Sequence, residues 1–278
     1  MYSAQLKFAI FSLGLIFLHL SLIKNIKIEQ NMMLDILAFI ESRKQKFTNL
    51  PLFVFMQDQN LHPRKRLSFA PCMAHFIMSF SDLNKYVFLE KQPLNIIQCI
   101  INQHAYEDEE HWSWYLNDIE KLELNSNINF TQGLRFVWNE ETKITRQITY
   151  EIAGYSYQAI PEIKLLVLEA LESVGHVFFN ISTKVASELR AISHQDYFYF
   201  GDEHLRVETG HTMRTPEAEN YVAKIELTDS QRQQAFMIVE NIFTIFTEWT
   251  YELLAYAQKY GVESVKDNDS KAGLIVCA

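Results

Sequence analysis

A chain of 278 residues, 48% hydrophobic and 21% charged, has ample apolar surface for a core and is not an intrinsically disordered polypeptide. Only eight glycines and six prolines argue against a turn-rich β sandwich or barrel and for long helices. A net charge of −9, with no basic cluster beyond His62–Arg66, argues against nucleic acid as a partner.

The first 32 residues stand apart. Phe8–Ile23 is apolar, with Lys7 before it and Lys24 and Lys27 after it. Ser12, Gly14, His19 and Ser21 dilute it, it is short for a membrane span of about 20 residues, and no small-x-small cleavage site follows. Three readings stay open: an over-extended start or dispensable tail, a membrane anchor, or a signal peptide. The amphipathic pattern of the domain, residues 33–260, begins at Leu34, Ile36, Leu37 and Ile40.

In chain order, Met33–Phe47 reads as a helix whose basic end (Arg43, Lys44, Lys46) suits a C-terminus. Leu50–Pro63 reads as a connection. Phe69–Val87 is a candidate buried helix, and Leu94–Leu124 a long one entered through Pro93. Asn125–Asn129 is turn-like. Thr131–Gln158 is the next helix, with Glu140, Glu141 and Lys143 exposed, and Pro161–Leu189 follows with an unbroken apolar face. Tyr199–Met213 is a shorter helix. Thr228–Tyr260 closes the domain with Asp229 as expected N-cap, and residues 261–278 read as a flexible tail. The expectation is an all-α bundle of about seven helices. Tyr197–Phe200 is the only local strand candidate, and it has no partner strand.

Three of these helices carry imidazole and carboxylate side chains in phase. His204, Glu208 and His211 form an H-x3-E-x2-H run, which stays on one helical face. His104, Asp108 and His111 repeat the spacing, with Glu107 as a competing carboxylate; the run Glu107–Glu110 also reads as a solvated face. Glu169, Glu172 and His176 interrupt an otherwise apolar helix, where a carboxylate must be exposed, paired or metal-bound. One of Glu169 and Glu172 is expected on the solvent side. This mixture of ligands suits iron, manganese or zinc; a soft-metal site would want thiolates. Cys72, Cys99 and Cys277 form no disulfide framework or metal motif. Cys72 and Cys99 read as buried, and the count fits a reducing, cytoplasmic compartment.

With those residues in hand, the chain resembles the haem-oxygenase-like di-iron oxidases and oxygenases over about residues 69–255. Their signature is a glutamate and a histidine two turns apart on one helix, a lone helical glutamate, and a later H-x3-[DE]-x2-H run. His204, Glu208 and His211 match the last element, Glu172 the lone glutamate, and His111 the first histidine. The departure is His104, which stands where the family has glutamate; either it ligates in that place or Asp108 or Glu107 supplies the carboxylate. The resemblance implies a haem-oxygenase-like helical bundle holding two iron ions, or an iron–manganese pair, with O2 as co-substrate. It implies a fatty-acid-like or amino-acid-like small organic substrate and an electron donor, with His104, Asp108, His111, Glu172, His204, Glu208 and His211 as metal ligands. His176 would orient a ligand or stand as an uncoordinated core histidine, and Tyr155 and Tyr157 would lie near the site or serve as packing. A homodimer is left open, and a membrane enters only through residues 8–23. The rival readings are a metal-free or haem-binding relative of the same fold, and a non-enzymatic helical interaction protein.

Overall fold

The computed structural model describes residues 32–125, 128–210 and 221–260, and all regular structure among them is helical. The helices are α1 (Met32–Phe47), α2 (Pro51–Gln57), α3 (Pro63–Arg66), α4 (Ala74–Leu83), α5 (Ile96–Asp108), α6 (His111–Lys121) and α7 (Phe130–Trp138). They continue with α8 (Lys143–Ser156), α9 (Pro161–Ser193), α10 (Asp202–Gly210) and α11 (Asp229–Tyr260). Short 3-10 turns precede α4 and α8, and a π-helical segment, Asn84–Phe88, extends α4. The expected all-α class is what forms, and Tyr197–Phe200 is not a strand. The segments 1–31 and 261–278 lie outside the described residues.

Helix α9 is the axis of the fold. Pro161 occupies its first turn, where a missing N–H costs nothing, and His194 ends it in the left-handed conformation (φ 57°). It is long and apolar enough to cross a bilayer, but 83% of its most apolar stretch is buried by neighbours, as in a core helix. Those neighbours are α1, α2, α3, α5, α8, α10 and α11. Along the second long helix, α11, residues Ile242, Phe243, Phe246, Trp249 and Leu253 face inward at helical spacing.

The element boundaries depart from expectation in four instructive places. Leu50–Pro63 is not a plain connection. It contains α2, where Pro51 starts a helix that buries Leu52, Phe53 and Met56. Leu94–Leu124 is not continuous, because it breaks at Glu109 and Glu110. Consecutive carboxylates at a helix C-terminus oppose the dipole, and the Glu109 carbonyl freed there accepts a hydrogen bond from the Ser81 hydroxyl at 2.8 Å. Thr131–Gln158 is likewise split at Asn139, whose side chain accepts from Thr142 N–H at 3.1 Å to start a new helical turn. Glu141, expected to be exposed, is half-buried and bound by Lys259 and Tyr260, contacts that hold its carboxyl below the usual range.

The fourth departure is the start of α11. Thr228, not Asp229, is the cap: its hydroxyl accepts from Gln231 N–H at 3.3 Å, and the Gln231 side chain accepts from Thr228 N–H at 2.8 Å. This reciprocal capping box satisfies two donors that the helix cannot. Thr228→Ala is therefore expected to cost about 1 kcal/mol in urea unfolding. Asp229→Ala should cost less, since Asp229 contributes only its charge near the helix N-terminus. Equal losses from the two variants would contradict the assignment. Among the cysteines, Cys72 is buried as expected but Cys99 is exposed, on the outer face of α5; Cys277 lies outside the described residues.

Candidate metal centre

Helices α5, α6, α9 and α10 bring five of the sequence-selected side chains to one place. His104 and Asp108 lie one turn apart on α5 and are 0% and 4% exposed, too deep to be a solvated face. His104 Nε2 lies 2.7 Å from Glu172 Oε1 on α9, and its Nδ1 lies 3.6 Å from Asp108 Oδ2. The break after Asp108 changes the direction of the chain. Even so, His111 in the first turn of α6 stays beside Asp108, with Nδ1 at 3.3 Å from Oδ1. The His111 ring meets the His204 ring of α10 at 4.5 Å between centroids.

Of the two carboxylates competing on α5, Asp108 is the one turned inward. Glu107 instead accepts from the Gln103 amide on the outer side, at 3.0 Å. On α9 the expectation that one acid faces solvent is wrong: Glu169 and Glu172 are both buried. A spacing of three residues keeps them on one face of the helix, and that face is turned inward. His176 is half-buried and does not line the cavity described below. Tyr155 donates to Glu151 of its own helix, and Tyr157 is 64% exposed, so neither is placed at the site. The backbone of α10 includes position 208, but the Glu208 side chain is outside the described structure, as is His211.

His204 is held by groups that the sequence reading did not select. Its Nδ1 lies 2.9 Å from the Tyr199 carbonyl, which can only accept, so Nδ1 carries the proton. In the neutral ring Nε2 then keeps its lone pair, the state a metal ligand needs. Phe179 lies against this ring at 3.8 Å, and Trp114 stacks on His111 at 4.5 Å. The Tyr199 carbonyl is positioned in turn by Asp118 of α6. The Asp118 carboxylate accepts the N–H groups of Phe198, Tyr199 and Phe200 at 3.0, 2.9 and 3.0 Å. Those bonds also explain why α10 starts at Asp202 and not at Tyr199. Burial pushes the Asp118 carboxyl up to about 6, against the pull of the three N–H groups and Lys121. The signal was present, since Asp118 shares the helical face of Tyr115, Ile119 and Leu122, all buried.

The donor set fits a divalent cation. One atom each from His104, Asp108 and Glu172 can be chosen so that all lie within 4.8 Å of one another. Donors sharing an ion at about 2 Å stand about 3–4 Å apart, so small rotations would suffice. The charge balance points the same way. The two basic side chains buried among the described residues, Arg66 and Lys164, are engaged elsewhere by Glu188 and Glu90. The acids at the centre therefore face imidazoles. A pair of 2+ ions would offset the desolvation of such carboxylates.

Asp108, His111, Glu172 and His204 also form one wall of a cavity of about 90 Å³. Its other walls come from α4 (Phe76, Ile77, Phe80), α9 (Leu171, Val174, Phe178) and α11 (Phe246, Trp249). No family model matches the sequence, and no curated protein is significantly similar to it.

Proposed function

We propose that this protein is an O2-activating non-haem di-iron oxidase or oxygenase with a haem-oxygenase-like helical fold, acting on a small organic metabolite. The observation that carries the reading is the burial of His104, Asp108 and Glu172 in mutual reach, with His111 and His204 adjoining. Helical bundles build di-iron sites in this way, from inward carboxylates and imidazoles on separate helices. His104, Asp108 and Glu172 would hold one cation. His111 and His204, with Glu208 and His211 by sequence, would serve the other. Such ions supply redox chemistry with O2 that no side chain of this chain can supply alone.

The protein's own part is to set the charge and dryness of the site. Asp108 and Glu172 would neutralise the ions, and Asp108, which adjoins both His104 and His111, would be within reach of either. The Tyr199 carbonyl holds the proton on His204 Nδ1 and so keeps Nε2 free to ligate. The aromatic walls exclude water, which protects a reactive centre from side reactions. Two rival readings fit less well. Haem iron is held by one or two axial side chains, which would leave the buried Asp108 and Glu172 without a role, and an interaction surface would not bury its imidazoles and acids.

The test is anaerobic reconstitution with Fe(II), metal analysis, and O2 uptake against a panel of small organic compounds. About two irons per chain and substrate-stimulated O2 uptake are expected. No bound iron and no O2 uptake under any condition would overturn the proposal.

A further inference from the structure

We infer that the cavity beside the carboxylate–imidazole wall receives an uncharged apolar group, a short alkyl segment, and that Gly175 provides the room for it. As a statement about substrate this rests on the oxidase reading, but the binding itself is measurable without any cation. The first observation is the make-up of the walls. Apart from the candidate ligands, the described lining offers Ser81, Tyr199 and the Trp112 and Trp249 indoles as side-chain polar groups, the Trp249 N–H already donating to Thr145 at 2.6 Å, and contains no Lys, Arg, Asn or Gln. The Ser81 hydroxyl already donates to the Glu109 carbonyl. A charged or strongly hydrogen-bonding group placed among Phe76, Ile77, Phe80, Phe246 and Trp249 would lose its water and find no partner. An anionic group at the other end would meet Asp108 and Glu172.

The second observation is the site's one missing side chain. Gly175 lies one turn beyond Glu172 on the same face of α9 and lines the cavity, although a glycine inside a helix is unfavourable. A Cβ added there would meet nothing closer than the Phe179 ring, at 3.6 and 3.8 Å, which is ordinary contact. The glycine is thus required neither by the backbone nor by a clash, and its effect is to leave the volume of a side chain unfilled beside the Phe179 ring, which also lines the cavity. The space is modest. Its 90 Å³ is below the roughly 150 Å³ of an engineered apolar hole that takes up benzene, so a short segment fits and a longer molecule would protrude.

Three six-carbon probes separate the alternatives on the metal-free full-length chain: hexan-1-ol (neutral), hexanoate (anionic) and norleucine (zwitterionic). Binding is read by tryptophan fluorescence, since Trp112 and Trp249 line the cavity, and by saturation-transfer NMR. Hexan-1-ol should bind, hexanoate at least tenfold more weakly, and norleucine not measurably. Gly175→Leu should weaken hexan-1-ol at least tenfold and Gly175→Ala less, both with unchanged circular dichroism and an unchanged or higher melting temperature. Norleucine or hexanoate binding as well as the alcohol, or a Gly175→Leu variant that binds it like wild type, would overturn the inference. Probe binding without iron uptake would sink the oxidase reading alone. Iron uptake and O2 reactivity without probe binding would sink this inference alone.

Discussion

Glu172→Gln is expected to weaken divalent-metal binding by on the order of a hundredfold or more, with little change in the stability of the metal-free protein. Glutamine keeps the shape of glutamate and can donate an amide N–H to His104 Nε2, so the buried contact at 2.7 Å has a neutral substitute. What it lacks is charge. A neutral amide oxygen would be a poor replacement for a carboxylate as a ligand to a divalent cation, and changes at less direct partners already cost 10–100-fold. The control is Glu107→Gln, which alters the outward acid bound by Gln103 and should shift affinity by less than about threefold. Competition against a coloured chelator, with Co(II) as an air-tolerant stand-in, gives both numbers. A Glu172→Gln chain that binds metal like wild type would remove Glu172 from the ligand set. A large loss in Glu107→Gln would move the carboxylate role one residue along α5.

Asp118→Ala is expected to lower stability by about 2–4 kcal/mol at pH 7 and to loosen metal binding about ten- to a hundredfold. The stability loss comes from N–H groups left without an acceptor, of which those of Tyr199 and Phe200 are on buried residues. The affinity loss comes from the Tyr199 carbonyl, which would no longer be fixed opposite His204 Nδ1. The pH dependence has a definite sign. The folded chain holds this carboxyl at about 6, above its ordinary 3.8, so ionisation is harder in the folded state. Its contribution is therefore complete below pH ~4 and declines as pH rises through 6. The gap between wild type and Asp118→Ala should widen by about 1 kcal/mol between pH 7 and pH 5 in urea unfolding. A gap that narrows on acidification would mean that the carboxylate is stabilised, not strained, by its three donors.

Much of this architecture could be read from the chain, for identifiable reasons. The long elements were legible because their apolar positions repeat over many turns, as in α9 and α11. His104, Asp108, Glu172 and His204 could be singled out because imidazole and acid recur in phase on otherwise apolar helices. Breaks were harder to see. Nothing in the periodicity of Leu94–Leu124 announces a bend at Glu109, because Ser81, which accommodates it, is 28 residues away along the chain. The burial of both Glu169 and Glu172, where one is expected at the solvent side, has a similar reason: whether a helical face is inner or outer depends on what packs against it. Asp118 does not stand out in the sequence because a lone aspartate on a helix is ordinarily a surface residue. Its phase with Tyr115, Ile119 and Leu122 signals burial, but what it binds emerges only with the backbone of Phe198–Phe200 folded over it.

The contact between His104 and Glu172 spans 68 residues of chain, and that distance has a consequence for biogenesis. During synthesis the first two candidate donors, His104 and Asp108, leave the ribosome long before α9 exists. A nascent chain at that stage offers an ion His104, Asp108 and His111 at most, without the Glu172 carboxylate that completes the set. Closing so long a loop is entropically costly and must be driven by the apolar face of α9. Cation loading would then come as a late step of maturation, after the hydrophobic core has assembled. Chains stalled before α9 would accumulate empty.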